Sequence, residues 1–356
     1  MILRFALIIF VAAAVAAAAS GYWLYSSIYS ERTHTRAGDF ITIEKGSSPA
    51  EIVSKLASED IIGSETAAML YLRATGRAGK LQAGEFKFKS PISTAEALNQ
   101  LERGSVRARR ITIPEGFTRF DIAKRIHENF PQEPPVTEDE ILLLMSDTSL
   151  IKDLAPDARN LEGFMYPNTY EFPLDATPQD VINRMVEQFK KIWRPEWQQR
   201  AAEMGRTPLE IVTLASLIET ESPVDDERPI VSSVIHNRLK RDMALGIDQT
   251  VVYVAKMQKR WDGTIHKSDI DADSPYNTRK YAGIPPGPIS SVTEGAIEAA
   301  LNPAQTDYLF YVLNVEANDG SHHFYASAAE FERGKAVYQR WLEEQRRLKR
   351  EAEASQ

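Results

Sequence analysis

Residues 207–222 constrain the fold more than any other stretch of the chain. The body of this run, residues 211–218, is apolar almost all the way round a helix. Such a helix must be buried on most of its sides, so other elements have to pack around it. Thr207 as N-cap, Pro208 at the first helical position and Glu210 completing a capping box predict where the helix begins.

Glu219 lies at the end of this buried helix. Removing a carboxylate from water raises its pKa towards the range that suits a general acid. Glu219 is therefore the first candidate for chemistry. The alternative interpretation is an ordinary glutamate at a helix end.

The N-terminal segment predicts a membrane anchor. Residues 5–25 carry no charge, and as a helix this run is long enough to cross a hydrocarbon core of about 30 Å. Tyr22, Trp23 and Tyr25 lie at the far end, where an interfacial aromatic belt would be. A cleavable signal peptide is the alternative, because residues 16–21 are small, but length and the aromatic end favour a retained anchor. Counting flanking positive charges gives no orientation.

An internal repeat follows the anchor. Ile41-Thr-Ile-Glu-Lys-Gly46 recurs 70 residues later as Ile111-Thr-Ile-Pro-Glu-Gly116, and Ile52 then matches Ile122. Each copy predicts a short strand, a glycine turn and an amphipathic helix. Duplication explains the shared pattern better than two βα units that converged.

Composition and motifs exclude several function classes. The net charge of −8 without a basic stripe argues against nucleic-acid binding, and no cysteine is present for a disulfide or a thiolate nucleophile. Protease motifs and a phosphate-binding glycine loop are missing from the sequence. His322-His323 lacks a matched ligand nearby, so the sequence predicts no metal and no cofactor.

A hydrolytic glycosidase would need a second carboxylate close to Glu219. Glu221, Asp225, Asp226 and Asp248 are available, but their spacing singles out none of them. Glu221 would face away from Glu219 on a helix, which favours a solvated acidic cap. Residues 242–290 are rich in Gly, Pro, Asp and Asn, and so long a stretch of little helical period predicts a functional surface built from loops.

Several motifs follow one another along the chain. They are Ala215-Ser-Leu-Ile-Glu219-x-Glu221, Asp248-x-Thr250, Tyr276-Asn-Thr278, Gly283-Ile-Pro-Pro-Gly-Pro-Ile289 and His322-x-Phe324, preceded by Leu161-Glu-Gly-x-x-x-Pro-x-Thr-Tyr170. Together they resemble one known family, the endolytic murein transglycosylases, over roughly residues 39–340. The sequence departs from the family pattern at Thr220, Gln249 and Arg279. These departures concern substrate contacts more than the glutamate.

The resemblance implies a lyase that cleaves the β-1,4 bond between N-acetylmuramic acid and N-acetylglucosamine without water and leaves a 1,6-anhydro end. Glu219 would act first as acid and then as base, and the sugar's own C6 hydroxyl would be the nucleophile. By analogy, Gln249, Tyr276, Asn277 and Thr278 would position the glycan. The alternatives are a non-catalytic peptidoglycan-binding scaffold and a hydrolytic muramidase.

The expected fold class is α+β: an N-terminal transmembrane helix, a small duplicated βα module, and a mostly helical catalytic domain with a few strands. The resemblance implies that the duplicated module is LysM-like. The expected boundaries are a cytoplasmic tip at residues 1–4, the anchor at 5–28, the module at 39–130, the catalytic domain at 131–345 and a frayed charged tail at 346–356. The resemblance also implies a bacterial inner-membrane protein with a periplasmic body that trims or terminates nascent glycan strands. Its expected partners are peptidoglycan and penicillin-binding proteins or other peptidoglycan synthases.

Overall fold

The computed structural model describes residues 2–104, 108–173 and 176–354. The described chain is α+β, with many helices and three two-stranded sheets, as the sequence predicts. The helices are α1 (Ile2–Tyr29), α2 (Pro49–Ser58), α3 (Glu65–Thr75), α4 (Thr94–Arg103), α5 (Arg119–Asn129), α6 (Glu138–Leu144), α7 (Pro178–Ile192), α8 (Pro195–Glu203), α9 (Pro208–Glu221), α10 (Arg228–Lys240), α11 (Asp248–Met257), α12 (Lys267–Ile270), α13 (Glu294–Leu301) and α14 (Ala328–Ala354). The strands are β1 (Ile41–Ile43), β2 (Gly84–Phe86), β3 (Ala108–Ile113), β4 (Asn168–Pro173), β5 (Phe310–Leu313) and β6 (His322–Tyr325).

The chain divides into two compact units. Unit 1 comprises residues Met1–Arg110 and Glu171–Ala176, and unit 2 comprises Ile111–Tyr170 and Thr177–Gln356. The division at Arg110 falls inside the range 39–130 that the sequence assigns to the duplicated module. Sheet pairs β1–β2 and β5–β6 are antiparallel, with Ile41 opposite Phe86 and Phe310 opposite Tyr325.

Unit 1 begins with one apolar helix. Residues Phe10–Tyr29 of α1 are long and apolar enough to cross a membrane, with a mean hydropathy of 1.3. The last turns of α1 are part of the packed unit, because Ile28 is buried with Ala67 of α3 and Ala95 of α4. The hydroxyl of Thr94 also donates to the Ser27 carbonyl at 2.9 Å. The end of α1 is thus held in unit 1 by side-chain packing and by a hydrogen bond.

The repeated pattern is present in both copies. Gly46 and Gly116 follow β1 and β3 with φ values of 87° and 73°, which favour glycine because L side chains rarely adopt this backbone. Ser48 and Thr118 then form complete capping boxes at the starts of α2 and α5. Each copy is therefore a strand, a glycine turn and a capped helix. The first copy contributes Ile41, Ile43, Ile52 and Leu56 to the core of unit 1.

Helix α9 lies at the centre of unit 2. Every side chain from Ile211 to Glu219 is buried, and α9 packs against α8, α10, α11 and α13. Its start is as predicted, with Thr207 and Glu210 in a capping box and Pro208 at the first position. Because solvent is excluded from all sides, a polar group at the end of α9 needs partners from neighbouring elements.

Residues 242–290 differ from the prediction of a long irregular stretch, because Asp248–Met257 forms α11 and Lys267–Ile270 forms the short α12. Thr250, Val251 and Val254 are buried in α11. Packing against α9 therefore outweighs the weak helical period of the sequence. The charged C-terminal stretch is helical as far as Ala354.

Candidate active site

Glu219 lies in the last turn of α9, and its side chain retains only 2% of its solvent exposure. Both of its oxygens have donors. The backbone N–H and the hydroxyl of Thr293 donate to Oε2 at 2.8 and 2.6 Å, and Arg228 donates to Oε1 at 3.0 Å. The carboxyl group is therefore held in one orientation by α10 and by the start of α13.

The surroundings of Glu219 act on its pKa in opposite directions. Burial is the largest influence and raises the pKa, whereas the hydrogen bonds from Thr293 and the charge of Arg228 lower it, and the charge of Glu115 raises it. The pKa of Glu219 ends above its ordinary value. A carboxyl group with a raised pKa and fixed orientation can donate a proton and then accept one near neutral pH.

Arg228 is itself buried and contacts two carboxylates. One end of its guanidinium bonds Glu219, and the other end pairs with the exposed Asp225 at 3.0 Å. Within the described part of the chain, its Nε has no hydrogen-bond partner. A Cβ at Gly295 would lie 2.8 Å from Nη1 of Arg228, so the glycine leaves room for the guanidinium beside α13.

The Gly/Pro-rich motif of residues 283–289 is tied to the middle of α9. The backbone N–H of Ile289 donates to Oγ of the buried Ser216 at 3.0 Å. Two residues later, Ser291 donates its N–H to the Phe117 carbonyl at 2.7 Å, and its carbonyl accepts from Gly116 at 3.3 Å. This loop thus carries the chain from the α9 core to Thr293, which binds Glu219.

The upstream motif, residues 161–170, meets the same loop at Gly163. This residue has a φ of 80°, and a Cβ there would come within 2.6 Å of Pro288 and 2.7 Å of Val212 in α9. No larger residue fits this three-way contact without a shift of the backbone. Two motifs that are far apart in the sequence therefore come together against α9.

The four residues predicted to position the glycan lie in two kinds of surroundings. Gln249 is exposed at the second position of α11, and Tyr276 is half-buried with its ring 5.1 Å from that of Tyr253. The Tyr276 hydroxyl would lie 3.1 Å from a Cβ at Gly287, so Tyr276 reaches the 283–289 loop. Gln249 and Tyr276 thus remain accessible to a ligand at least in part.

Asn277 and Thr278 are buried, and their polar atoms are used inside the protein. The Asn277 amide donates to the carbonyls of Ile270 and Ala272 at 2.8 and 3.0 Å. The Thr278 hydroxyl lies 3.0 Å from the hydroxyl of Thr250 and accepts from the Ile247 N–H at 3.0 Å. These contacts favour a role in building the loop that carries Tyr276.

Comparison with known proteins identifies the family. The model of the YceG-like family matches residues 41–337, which is most of the chain. The chain belongs to the YceG-like family. The endolytic murein transglycosylase of Bacillus subtilis strain 168 is 32% identical over 291 residues, which cover 76% of this chain and 78% of that protein.

A second relative and a solved structure support the same family. The endolytic murein transglycosylase of Streptococcus pneumoniae serotype 2 is 28% identical, and the match covers 66% of this chain but only 47% of that protein. A crystal structure of a YceG-like protein from Listeria monocytogenes has 28% identity and a TM-score of 0.55, and covers 83% of this chain and 98% of that one. The predicted membership of this lyase family is confirmed.

The YceG-like chain brings three residues to Glu219 that sequence patterns did not indicate. Two of them, Thr293 and Arg228, bond its carboxyl group. Glu115 follows β3 and is close enough to raise the pKa of Glu219 through its charge. The capping preference of threonine was the one available signal for Thr293, and it indicates a helix start but not a contact with Glu219.

Tyr166 is a fourth residue that the sequence did not single out, although it lies within the upstream motif. Its ring is half-buried. Burial raises the pKa of its hydroxyl, and the charges of Glu294, Glu219 and Glu115 add to that effect. Tyr166 is therefore a neutral phenol near enough for the charge of Glu219 to act on its pKa.

The expectation for Glu221 is wrong, because this residue is no solvated cap. Glu221 is half-buried and accepts a hydrogen bond of 2.5 Å from the Tyr311 hydroxyl. Burial raises its pKa, and the charges of His322 and Arg238 oppose that shift. His322 in turn bonds Glu227 at 2.8 Å through Nδ1. The helix does turn Glu221 away from Glu219, but β5 and β6 cover the face where it emerges.

Proposed function

We propose that this YceG-like chain is a peptidoglycan lytic transglycosylase with Glu219 as its general acid and base. The observation that carries the proposal is the buried carboxyl group of Glu219, held by Thr293 and Arg228 and raised in pKa by burial. The names of its relatives in Bacillus subtilis and Streptococcus pneumoniae support peptidoglycan as the substrate.

In the proposed reaction, protonated Glu219 gives its proton to the bridging oxygen as the bond from C1 of N-acetylmuramic acid to that oxygen breaks. N-acetylglucosamine leaves with a free 4-hydroxyl. The ionised Glu219 then takes the proton of the C6 hydroxyl, whose oxygen bonds to C1 and closes the 1,6-anhydro ring. The proton on Glu219 is restored and no water is consumed, so one protein carboxylate suffices.

Each neighbour of Glu219 has a defined part in this cycle. Arg228 stabilises the carboxylate that exists between the two proton transfers, because a paired charge is tolerated in a buried site. Thr293 keeps Oε2 fixed through two hydrogen bonds, so that the carboxyl group holds a single orientation. We assign Gln249 and Tyr276 to glycan contact, and Asn277 and Thr278 to the loop that positions them.

Hydrolysis by a muramidase is the second candidate, and Glu115 is the observation that favours it. This exposed carboxylate acts electrostatically on Glu219, and we take it as the candidate base for an attacking water. The two reactions give different products. Hydrolysis adds a water to the new end, whereas ring closure does not.

Mass spectrometry of products released from purified cell wall tests the proposal. We expect the wild type to yield anhydro-ended fragments and Glu219→Gln to lose about 10²- to 10⁴-fold in rate, which is the usual contribution of a general acid or base. Glu203→Gln is the matched control, because Glu203 is an exposed glutamate of α8. Products that carry an added water favour the muramidase, and a Glu219→Gln variant with the parent rate removes Glu219 from the mechanism.

The setting of the activity is also proposed. We assign α1 to a single-pass anchor in the bacterial inner membrane, with the catalytic body on the periplasmic side, where it trims or terminates nascent glycan strands. Residues 39–130 are proposed as a LysM-like duplicated module, supported by the two capped βα patterns. Penicillin-binding proteins or other peptidoglycan synthases are the partners suggested by the family.

A further inference from the structure

A groove of about 470 Å³ lies in unit 2 outside the surroundings of Glu219. It is formed by the first turns of α5 and α6 and by the end of α11. Its lining residues are Phe120, Asp121, Lys124, Thr137, Glu138, Asp139, Leu142, Lys256, Lys259 and Trp261. The lining combines two aromatic rings with a polar rim.

Both aromatic residues are half-exposed, and the Phe120 ring packs against another aromatic ring inside the protein. The Phe120 ring lies 5.6 Å from that of Tyr253, which in turn lies 5.1 Å from Tyr276. A ring supported in this way offers apolar surface to a ligand, and its side chain loses little conformational freedom when the ligand binds. Trp261 provides the second and larger apolar face of the groove.

The charges around the groove are balanced. Lys256 bonds Asp121 at 2.6 Å, and Lys259 bonds Asp139 at 2.7 Å. Lys124 and Glu138 remain, one of each sign, and both are exposed. A strongly charged ligand finds no net opposite charge here. A neutral ligand with apolar faces and many hydroxyl and amide groups suits both the rings and the rim.

The groove is joined to the Glu219 site by short pieces of chain. Phe117, three residues before Phe120, accepts a hydrogen bond of 2.7 Å from Ser291, and Ser291 is two residues from Thr293. Tyr276, at the other end of the aromatic contacts, touches the 283–289 loop through Gly287. These contacts link the groove to the residues around Glu219 through neighbouring segments of unit 2.

We propose that this groove, with Phe120 and Trp261 as its apolar faces, is a second glycan-binding site that holds neutral N-acetylated sugar units of a strand away from the bond that is cut. Sugar rings present faces of C–H groups that pack on Trp261 and Phe120, and their hydroxyl and acetamido groups bond the rim. The proposal rests on the proposed function, since it takes the ligand to be a part of the same glycan.

Fluorine NMR of the full-length chain in detergent tests the site directly. The chain has five tryptophans, so 5-fluorotryptophan labelling gives a small set of signals, and Trp261→Ala identifies the one from the groove. The probe is the soluble hexamer of β-1,4-linked N-acetylglucosamine, added to the Glu219→Gln variant so that it is not cut. We expect the Trp261 signal to shift on titration, and the loss of its ring in Trp261→Ala to weaken hexamer binding roughly five- to tenfold.

Trp341→Ala is the matched control, because Trp341 is a half-exposed tryptophan on α14, where it stacks on Tyr338. The Trp341 signal should not shift when the hexamer is added. The Trp341→Ala variant should bind the hexamer with unchanged affinity. Equal affinities for the two alanine variants, or a Trp261 signal that moves with a stem peptide and not with the hexamer, overturn the proposal. A wild type that binds the hexamer through Trp261 but never cuts cell wall would instead count against the proposed function alone.

Discussion

Thr293 donates two hydrogen bonds to one oxygen of Glu219, from its backbone N–H at 2.8 Å and from its hydroxyl at 2.6 Å. The same hydroxyl oxygen accepts from the Ala296 N–H at 3.3 Å and so caps α13. One side chain thus begins a helix and fixes the candidate acid. A change at Thr293 should therefore affect both helix stability and the proton affinity of Glu219.

Thr293→Val should shift the pH profile of cell-wall cleavage. The lost hydroxyl bond is one that lowers the pKa of Glu219, so that pKa should rise further. Glu219 then stays protonated to higher pH, and the limb on which activity falls with rising pH should move upward. Loss of the cap should also lower the free energy of unfolding by about 1 kcal/mol. Rates across a pH series, with Thr293→Ser as the control that keeps the hydroxyl, measure the shift, and identical limbs for both variants would contradict it.

Arg228→Gln should destabilise unit 2 more at pH 8 than at pH 5. Breaking a buried ion pair costs about 3–5 kcal/mol because the partner charge stays buried. The pKa of Glu219 should rise without Arg228, so the protonated, neutral form relieves this cost at low pH and the cost returns as pH rises. Chemical denaturation at both pH values checks the difference.

Arg184→Gln is the control for Arg228→Gln, because Arg184 is exposed in α7 and pairs only with Glu187 at 3.8 Å among described residues. Its effect should stay within about 0.5 kcal/mol at both pH values. An Arg228→Gln variant as stable as Arg184→Gln would mean that the buried pair is not formed in solution.

Gly163→Ala should disrupt the contact between the upstream motif and α9. The new Cβ would lie 2.6 Å from Pro288 and would require a positive φ of 80°. We expect a loss of about 2–4 kcal/mol of unfolding free energy, since overpacking and backbone strain add. Gly205→Ala separates the two causes, because Gly205 has a φ of 66° but open space around its Cβ. Equal thermal shifts in the two variants would exclude the packing clash.

Glu162→Gln should remove a pH dependence of stability. Glu162 is buried, bonds the Arg119 N–H at 2.9 Å, and has a pKa raised by burial to about 7 from 4.5. Because the folded pKa is the higher one, this group stabilises the fold most below the unfolded pKa, and the contribution is lost as pH rises from about 4.5 to 7. The loss is on the order of 3 kcal/mol.

Chemical denaturation of wild type and Glu162→Gln across that pH window measures the effect. The wild type should lose stability relative to the variant as pH rises, and above pH 7 the difference should become constant. Glu187→Gln, an exposed glutamate of α7, should run parallel to the wild type. Parallel curves for Glu162→Gln as well would mean that Glu162 titrates as an ordinary glutamate.

The local features of this chain were predictable from its sequence because they depend on neighbours a few residues apart. The capping box at Thr207, the apolar body of α9 and the repeated strand, turn and helix all follow from short-range hydrogen bonding and periodicity. The sequence also singled out Glu219, because an apolar helix that ends in a carboxylate indicates burial. The family resemblance rested on the same short motifs.

Contacts between distant residues were decided by the tertiary structure alone. Thr293 is 74 positions from Glu219, and Tyr311 is 90 positions from Glu221, so no short-range pattern links either pair. Helix geometry turns Glu221 away from Glu219 and predicts a solvated side chain, yet β5 brings Tyr311 over it. A buried polar group takes its partners from whichever elements pack around it, and that choice is made by packing of the whole unit.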